Sequence, residues 1–395
     1  MLEIIFLIFL GVLVGVFTGL TPGIHPNTVI FALMPFYFAF DIGFSFYASF
    51  ISGVSLSHTF HDFIPSIFLG VPEPESALAA LPGQKLALEG RGLQAFDYTV
   101  YGGVYSMVTA LVLSYPVYMV MESVYSFFQP FMEYCLLFIL LFIIFKSNKW
   151  RNSLTVSVLS GLLGVLSFSS PVNQQYVLTP IFAGLFAFPS VFNALNEGAE
   201  IPDQTDMSLS RKVYWSGGVT GFLASLPITV FPGLSNSIST TFLMPLVEKK
   251  KESFLSATGS VNTSDIFLSF LALMAMERAR SGASVALQTT GNSGMVIFVL
   301  GASILAASFS APLSLFTARR FLDSWLMDNQ RFLSYGVMLV LVLSVLYLTG
   351  GFGFLIFLTA CFIGFIASMT DERHAAMTVL LFPALRFFAG SGIFM

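Results

Sequence analysis

Apolar runs long enough to cross a bilayer recur from one end of the chain to the other, separated by short connections rich in proline, glycine and small polar residues. They predict helices near 2–20, 28–40, 44–56, 96–121, 127–145, 153–168 and 176–195, and a second series near 213–230, 238–246, 254–276, 294–315, 332–348, 352–366 and 376–388. A spanning helix needs about 20 apolar residues, so the 395 residues accommodate about ten to fourteen helical segments. Runs such as 136–145 lack the apolar/polar alternation of a membrane barrel. The expected fold class is an all-α polytopic membrane protein.

Two of these runs end in the same interruption. Thr21-Pro22-Gly23-Ile24-His25-Pro26-Asn27 breaks the first series, and Phe231-Pro232-Gly233-Leu234-Ser235-Asn236 breaks the second. Leu33-Met34-Pro35 follows one and Leu243-Met244-Pro245 the other, at the same offset from the break. Ser52-Gly53 matches Thr258-Gly259, Asp62 matches Asp265, and Ser66 matches Ser269. The chain therefore reads as two membrane repeats, 1–195 and 213–395, joined by a polar linker at 196–212. Paired breaks in corresponding places of two halves point to a binding site at the middle of a secondary transporter.

Composition agrees: 56% of residues are hydrophobic, 15% aromatic and only 10% charged, with mean hydropathy +0.84. A soluble domain would carry about 25% charged residues. The net charge of −4 and the absence of a basic block exclude a nucleic-acid partner. Cys135 and Cys361 lie in apolar runs as small core residues. Met1-Leu2-Glu3 lacks the positive flank of a cleaved signal, so the first run is expected to stay as a membrane helix.

The placement of the few basic residues orients the repeats. Lys146, Lys149 and Arg151 follow the fifth run, whereas the corresponding Thr349-Gly350 has no basic residue. Conversely Lys249, Lys250, Lys251, Arg319, Arg320 and Arg331 of the second series face uncharged or acidic connections in the first. Cytoplasmic loops carry the excess of lysine and arginine. Inverted repeats put all these loops in the cytoplasm of a multi-pass cell-membrane protein, with both termini outside.

Between the third and fourth runs, 64–85 holds four prolines and two carboxylates, which suits a re-entrant hairpin containing Ser76. Its expected partner, 265–287, contains Arg278, Arg280, Ser281 and Gly282. At each break, proline removes an amide donor and glycine frees the backbone, leaving amides for an anion and carbonyls for a cation. The candidate substrate residues are Thr21, Pro22, Gly23, Ile24, His25, Asn27, Ser76, Pro232, Gly233, Leu234, Ser235, Asn236, Ser281 and Gly282. Asp62, Asn262 and Asp265 are the coupling-ion candidates, because ionisable groups inside membrane segments are functional by default. His25, His58, His61 and Asp62 match no zinc spacing, so no metal site is expected. Gly11, Gly15 and Gly19 form a stripe of small residues for close helix packing.

The chain resembles the large permease subunit of tripartite tricarboxylate transporters, the TctA type. The resemblance lies in 15–35 with its Pro22-Gly23, in 67–92 from Ile67-Phe68-Leu69-Gly70 to Glu89-Gly90-Arg91-Gly92, and in Val247-Glu248-Lys249-Lys250. It implies a carboxylate substrate, a small membrane subunit and an extracytoplasmic binding protein as partners.

The function expected is a permease, not an enzyme, that moves an anionic organic solute through the bilayer. Na⁺ or H⁺ is the expected coupling ion, with no other cofactor. A translocase of a polyprenyl phosphate or another lipid phosphate is the alternative, and an intramembrane enzyme built on His58, His61 and Asp62 is a third reading. Homo-oligomerisation stays open.

Overall fold

A computed structural model describes residues 2–21, 25–40, 42–70, 77–147, 149–174, 176–197, 202–205, 208–231, 234, 236, 239–240, 251–290, 296–324, 330–370 and 372–390. Among them there is no strand, and six helical stretches are long and apolar enough to cross a membrane. The protein is an all-α polytopic membrane protein.

The first elements are α1 (Leu2–Leu20), α2 (Pro26–Ala39), α3 (Phe44–His61), α4 (Phe63–Phe68) and α5 (Ala77–Leu88). Then come α6 (Gly92–Phe128), α7 (Met132–Lys146), α8 (Trp150–Phe168), α9 (Leu178–Phe182) and α10 (Phe188–Glu197). After the linker follow α11 (Arg211–Val230), α12 (Lys251–Met276), α13 (Gly282–Gln288), α14 (Val296–Leu322), α15 (Gln330–Thr370), α16 (Arg373–Ala376) and α17 (Leu381–Gly390).

In α1 the exposed face is Leu2, Phe6, Phe9, Leu13 and Phe17, while Gly11, Gly15, Thr18 and Gly19 are buried. That is the reverse of a soluble helix. Lipid receives the large apolar side chains, and small residues turn inward so that backbones can approach. α12 takes this furthest: Ser253, Ser256, Thr258, Ser260, Asn262, Thr263, Ser264 and Ser269 are all buried among α3, α6 and α11.

The same packing occurs on both sides of α12. Gly11, Gly15 and Gly19 of α1 meet, in that order, Phe50, Val54 and His58 of α3, so the two helices run parallel. Gly217 and Gly221 of α11 meet Ser256 and Ser260 of α12 in the same sense, and Ser225 Oγ lies 2.9 Å from Ser264 Oγ. In each case the helix before a break lies along a helix that follows it. α2 runs back between them, since His25 neighbours His58 at one end of α3 and Tyr37 stacks on Tyr47 at the other.

One edge of the bundle gathers the starts of α6, α11 and α12 with the end of α14. Arg91 Nη2 donates to Glu252 Oε1 at 2.6 Å, Lys251 Nζ pairs with Glu89 at 2.8 Å, and Arg319 Nη2 approaches Asp97 at 3.6 Å. The linker is pinned there by Gln204, which accepts from Gly92 N at 2.6 Å, and by Ser210 N, which donates to the Tyr98 hydroxyl at 2.9 Å.

Some expected elements differ in detail. The run at 176–195 is helical throughout its described residues from Leu178, but it widens into a π-turn at Ala183–Ala187, between α9 and α10, where Gly184 lies against Ala360 and the Phe357 carbonyl. The last run divides into α16, a 3₁₀ turn at Met377–Val379 and α17. α15 would be about 60 Å long if straight, twice the hydrocarbon thickness. It breaks at Gly350, whose φ of 64° is open mainly to glycine.

A methyl group on Gly15 would stand 2.5 Å from Ser57 Cβ and 2.6 Å from the Val54 carbonyl, whereas one on Gly301 meets nothing within 4 Å. Overpacking costs about 1–3 kcal/mol, against a helix-propensity gain of about 1 kcal/mol for glycine to alanine. Gly15→Ala should therefore lower the melting temperature in detergent and Gly301→Ala should not. Equal melting of the two variants would contradict this packing.

Candidate functional site

α3 is buried along nearly its whole length and ends at a turn on Asp62, before α4 resumes the same direction. Asp62 has no exposed surface. Its Oδ2 accepts from Asn262 Nδ2 of α12 at 2.9 Å, and that amide also reaches the Thr59 carbonyl at 3.3 Å. Asn262 Oδ1 in turn accepts from Asn236 Nδ2, just beyond the second break, at 3.3 Å. A carboxylate contributed before residue 100 is thus joined to two amides contributed after residue 200.

The depth of this junction follows from helix geometry. Asn262 lies about 17 Å from the start of α12 and about 21 Å from its end, at 1.5 Å per residue. It therefore stands near the middle of a hydrocarbon layer about 30 Å thick. The end of α1 is at the same level, because a Cβ on Gly19 would touch His61 Cβ at 2.6 Å.

Three histidines line the first-half side. His58 and His61 are buried; His58 Nδ1 is 3.1 Å from Thr18 Oγ1 of α1, and His61 Nδ1 is 2.7 Å from the Ser57 carbonyl. The His25 ring is 5.4 Å from that of His58, and His25 Nδ1 accepts from Asn27 N at 3.2 Å. The backbone amide of Asn27 is therefore engaged at the start of α2, and its side chain is the part expected to serve a solute.

The second hairpin differs from its expected form. Its first leg is the end of α12 itself, which stays helical through Asp265 to Met276 and then turns at Glu277, with φ of 53°. Ser281 caps α13 by accepting from Ser284 N at 3.2 Å, and Ser269 Oγ lies within hydrogen-bond distance of both Ser281 Oγ, at 2.7 Å, and Ser284 Oγ, at 3.0 Å. Gly282 abuts the Asn27 side chain, where a Cβ would stand 2.6 Å from Nδ2. The start of α2 and the second hairpin are thus in contact.

Of the candidate residues, the structure joins Asp62, Asn262 and Asn236, and separately Asn27 with Ser281 and Gly282 through α13. Thr21 closes α1, its N donating to the Phe17 carbonyl at 3.1 Å, and Leu234 is buried. Asp265 lies one turn beyond Asn262, half-buried on α12. Pro22, Gly23, Ile24, Ser76, Pro232, Gly233 and Ser235 lie outside the described residues. The bond between His58 and Thr18 was not anticipated from the sequence.

Comparison with known proteins decides the family. The model of the tripartite tricarboxylate transporter TctA family matches residues 5–379. The chain belongs to this family. A relative from Methanocaldococcus jannaschii, described as "Uncharacterized protein MJ1079", is 29% identical over 410 residues, covering 98% of this chain and 99% of the relative. An Agrobacterium vitis protein, described as "Uncharacterized 52.8 kDa protein in TAR-I ttuC' 3'region", is 31% identical over 106 residues, covering 27% of this chain and 21% of that protein. No solved structure matches the chain.

An unsatisfied buried carboxylate is costly, about 1–3 kcal/mol for each lost partner and more for a charged group. Asn262→Ala removes the amide that donates to Asp62 and should destabilise the protein by at least that amount. Asp62→Asn keeps an oxygen to accept from Asn262 and should cost less. Thermal melting of both variants in detergent checks the order; a reversed order would contradict this hydrogen-bond assignment.

Proposed function

We propose that this TctA-family chain is the permease that carries an anionic organic solute bearing carboxylates through the membrane, driven by Na⁺ or H⁺. The observation that carries the reading is the Asp62–Asn262–Asn236 junction, a fully buried carboxylate of the first half bonded to the second half beside its break. Buried carboxylates inside membrane proteins mark ion and proton pathways. Asp62, the Thr59 carbonyl and the side-chain oxygens of Asn236 and Asn262 offer hard oxygen ligands suited to Na⁺, and Asp62 with His58 and His61 offers proton carriers.

The division into inverted repeats, 1–195 and 213–395 around the linker 196–212, is part of the proposal. Its support is directional. α3 ends at the level of Asn262 and α4 continues from there toward the edge where Phe68 meets Gly92, while α12 starts at that edge and advances away from it. That edge carries Arg91, Lys251 and Arg319, so we assign it to the cytoplasm. α1, parallel to α3, then begins outside. The family's tripartite organisation supports two partners, a small membrane subunit and an extracytoplasmic binding protein.

The test is thermal stabilisation of the purified protein by citrate, succinate and an isoprenoid phosphate, each with and without Na⁺ and between pH 6 and pH 8 (about two units across the histidine range). Carboxylates should stabilise it, by an amount that depends on Na⁺ or on pH, and Asp62→Asn should abolish that dependence. Stabilisation by the isoprenoid phosphate and by no carboxylate would overturn the reading.

A further inference from the structure

Arg278 and Arg280, in the turn between α12 and α13, converge on one aromatic ring. Their guanidinium carbons lie 4.7 Å and 5.1 Å from the centroid of Tyr125, which α6 contributes from a buried position. Cation–π attraction accounts for each arginine singly. Two on the same ring repel one another, the more so away from water, and an anion held by both removes that cost.

The described residues do not supply the anion. Their ion pairs engage Arg91, Lys251 and Arg319, and neither Arg278 nor Arg280 has a carboxylate partner. Glu277, beside Arg278, and Glu122, one turn before Tyr125 on α6, are both exposed and pair with neither arginine. Arg280 directs Nη2 to the Val230 carbonyl at 3.3 Å, which ties it to the last residue of α11 before the second break. Its Nε is buried and makes no hydrogen bond. Arg278 donates no hydrogen bond to any described residue. The pair therefore keeps donors for a ligand.

Its place is the rim of the bundle, away from the junction. Ser281 Oγ lies 2.7 Å from Ser269 Oγ, and Ser269 is about 10 Å beyond Asn262 along α12, whereas Glu277 is about 22 Å beyond it. The arginines fall between these two in the chain, where the hydrocarbon gives way to headgroups about 15 Å from the middle of the bilayer. Along the last two turns of α6, residues 121–128, only Met121 and Tyr125 are buried. Val124 and Phe127 are exposed there, and Phe131 and Tyr134 are exposed just beyond. Exposed aromatic side chains gathered at one edge of a membrane protein mark the headgroup layer.

We propose that Arg278 and Arg280, braced by Tyr125, bind the phosphodiester of an anionic membrane lipid whose acyl chains lie along the exposed apolar end of α6. Planar guanidinium groups take phosphate oxygens two at a time and are more weakly hydrated than an ammonium, so they suit a phosphate at the edge of the hydrocarbon. The lipid neutralises the pair and fixes the turn that Arg280 holds against the end of α11. The site is independent of what the protein carries.

The experiment is native mass spectrometry and thermal melting of the delipidated full chain in detergent, with phosphatidylglycerol, phosphatidylcholine, inorganic phosphate or citrate added. The variants are Arg278→Gln/Arg280→Gln and Arg278→Lys/Arg280→Lys. The wild type should bind phosphatidylglycerol in preference to phosphatidylcholine and be stabilised by it. Loss of the charge-assisted bonds should weaken phosphatidylglycerol by about tenfold to a hundredfold in the Gln pair. The Lys pair should recover part of that loss, and phosphatidylcholine should bind the Gln pair as it binds the wild type, which also shows that the variant is folded. No preference for phosphatidylglycerol in the wild type would overturn the proposal without recourse to any variant. Equal phosphatidylglycerol binding by the wild type and the Gln pair would overturn it too. Stabilisation of the wild type by inorganic phosphate or citrate that disappears in the Gln pair would assign the arginines to a free solute and overturn the lipid site, while leaving the permease reading in place.

Discussion

The fold is organised around a carboxylate that has no access to water. Asp62 lies at the depth of the middle of the bilayer with no exposed surface, and the amide that donates to it comes from the other half of the chain. Removing a donor from a buried carboxylate is costly. Helix α12 must therefore hold Asn262 in register with the turn between α3 and α4. The rest of the core follows from that need: α12 is the most buried of the six membrane-length apolar stretches and is lined by small hydroxyl residues, and α1 and α11 pack against their partners through glycine and serine.

Close packing and polar chemistry reinforce one another in this arrangement. Lipid provides no hydrophobic drive for helices to associate, so dispersion contacts between closely apposed backbones and short hydroxyl bonds must hold them. Ser260 donates to the Gly218 carbonyl at 2.6 Å, and Ser239 donates to the Ala224 carbonyl. Such bonds fix the register of α11, α12 and the segment after the second break, and that register aims Asn236 at Asn262. A shift of one residue would turn Asn262 about 100° around its helix, away from Asp62.

Much of this was legible in the sequence, for a physical reason. Apolar length gives membrane helices, and the repeated Pro-Gly, followed at the same offset by Leu-Met-Pro, marked where the chain is interrupted in each half. Asp62, Asn262 and Asn236 were all legible as candidates, because polar groups inside apolar runs are conspicuous. Their mutual bonding was not, since residues 62 and 262 belong to different halves and no local pattern encodes their distance. The π-turn at Ala183–Ala187 was also hidden, because it answers to the close approach of Gly184 to Ala360 and not to its own residues. The engagement of the Asn27 amide by His25 was hidden for a similar reason: ring orientation decides it, and sequence does not record ring orientation.

The central claim is that the buried carboxylate between the two halves links the driving cation to the solute. Reconstituted protein, with any partner subunits it requires, should accumulate labelled citrate in liposomes against its gradient when Na⁺ or H⁺ is supplied outside. Asp62→Asn should abolish that accumulation while leaving citrate exchange between equal concentrations in place. Accumulation by Asp62→Asn at the wild-type rate and to the wild-type level would contradict the claim.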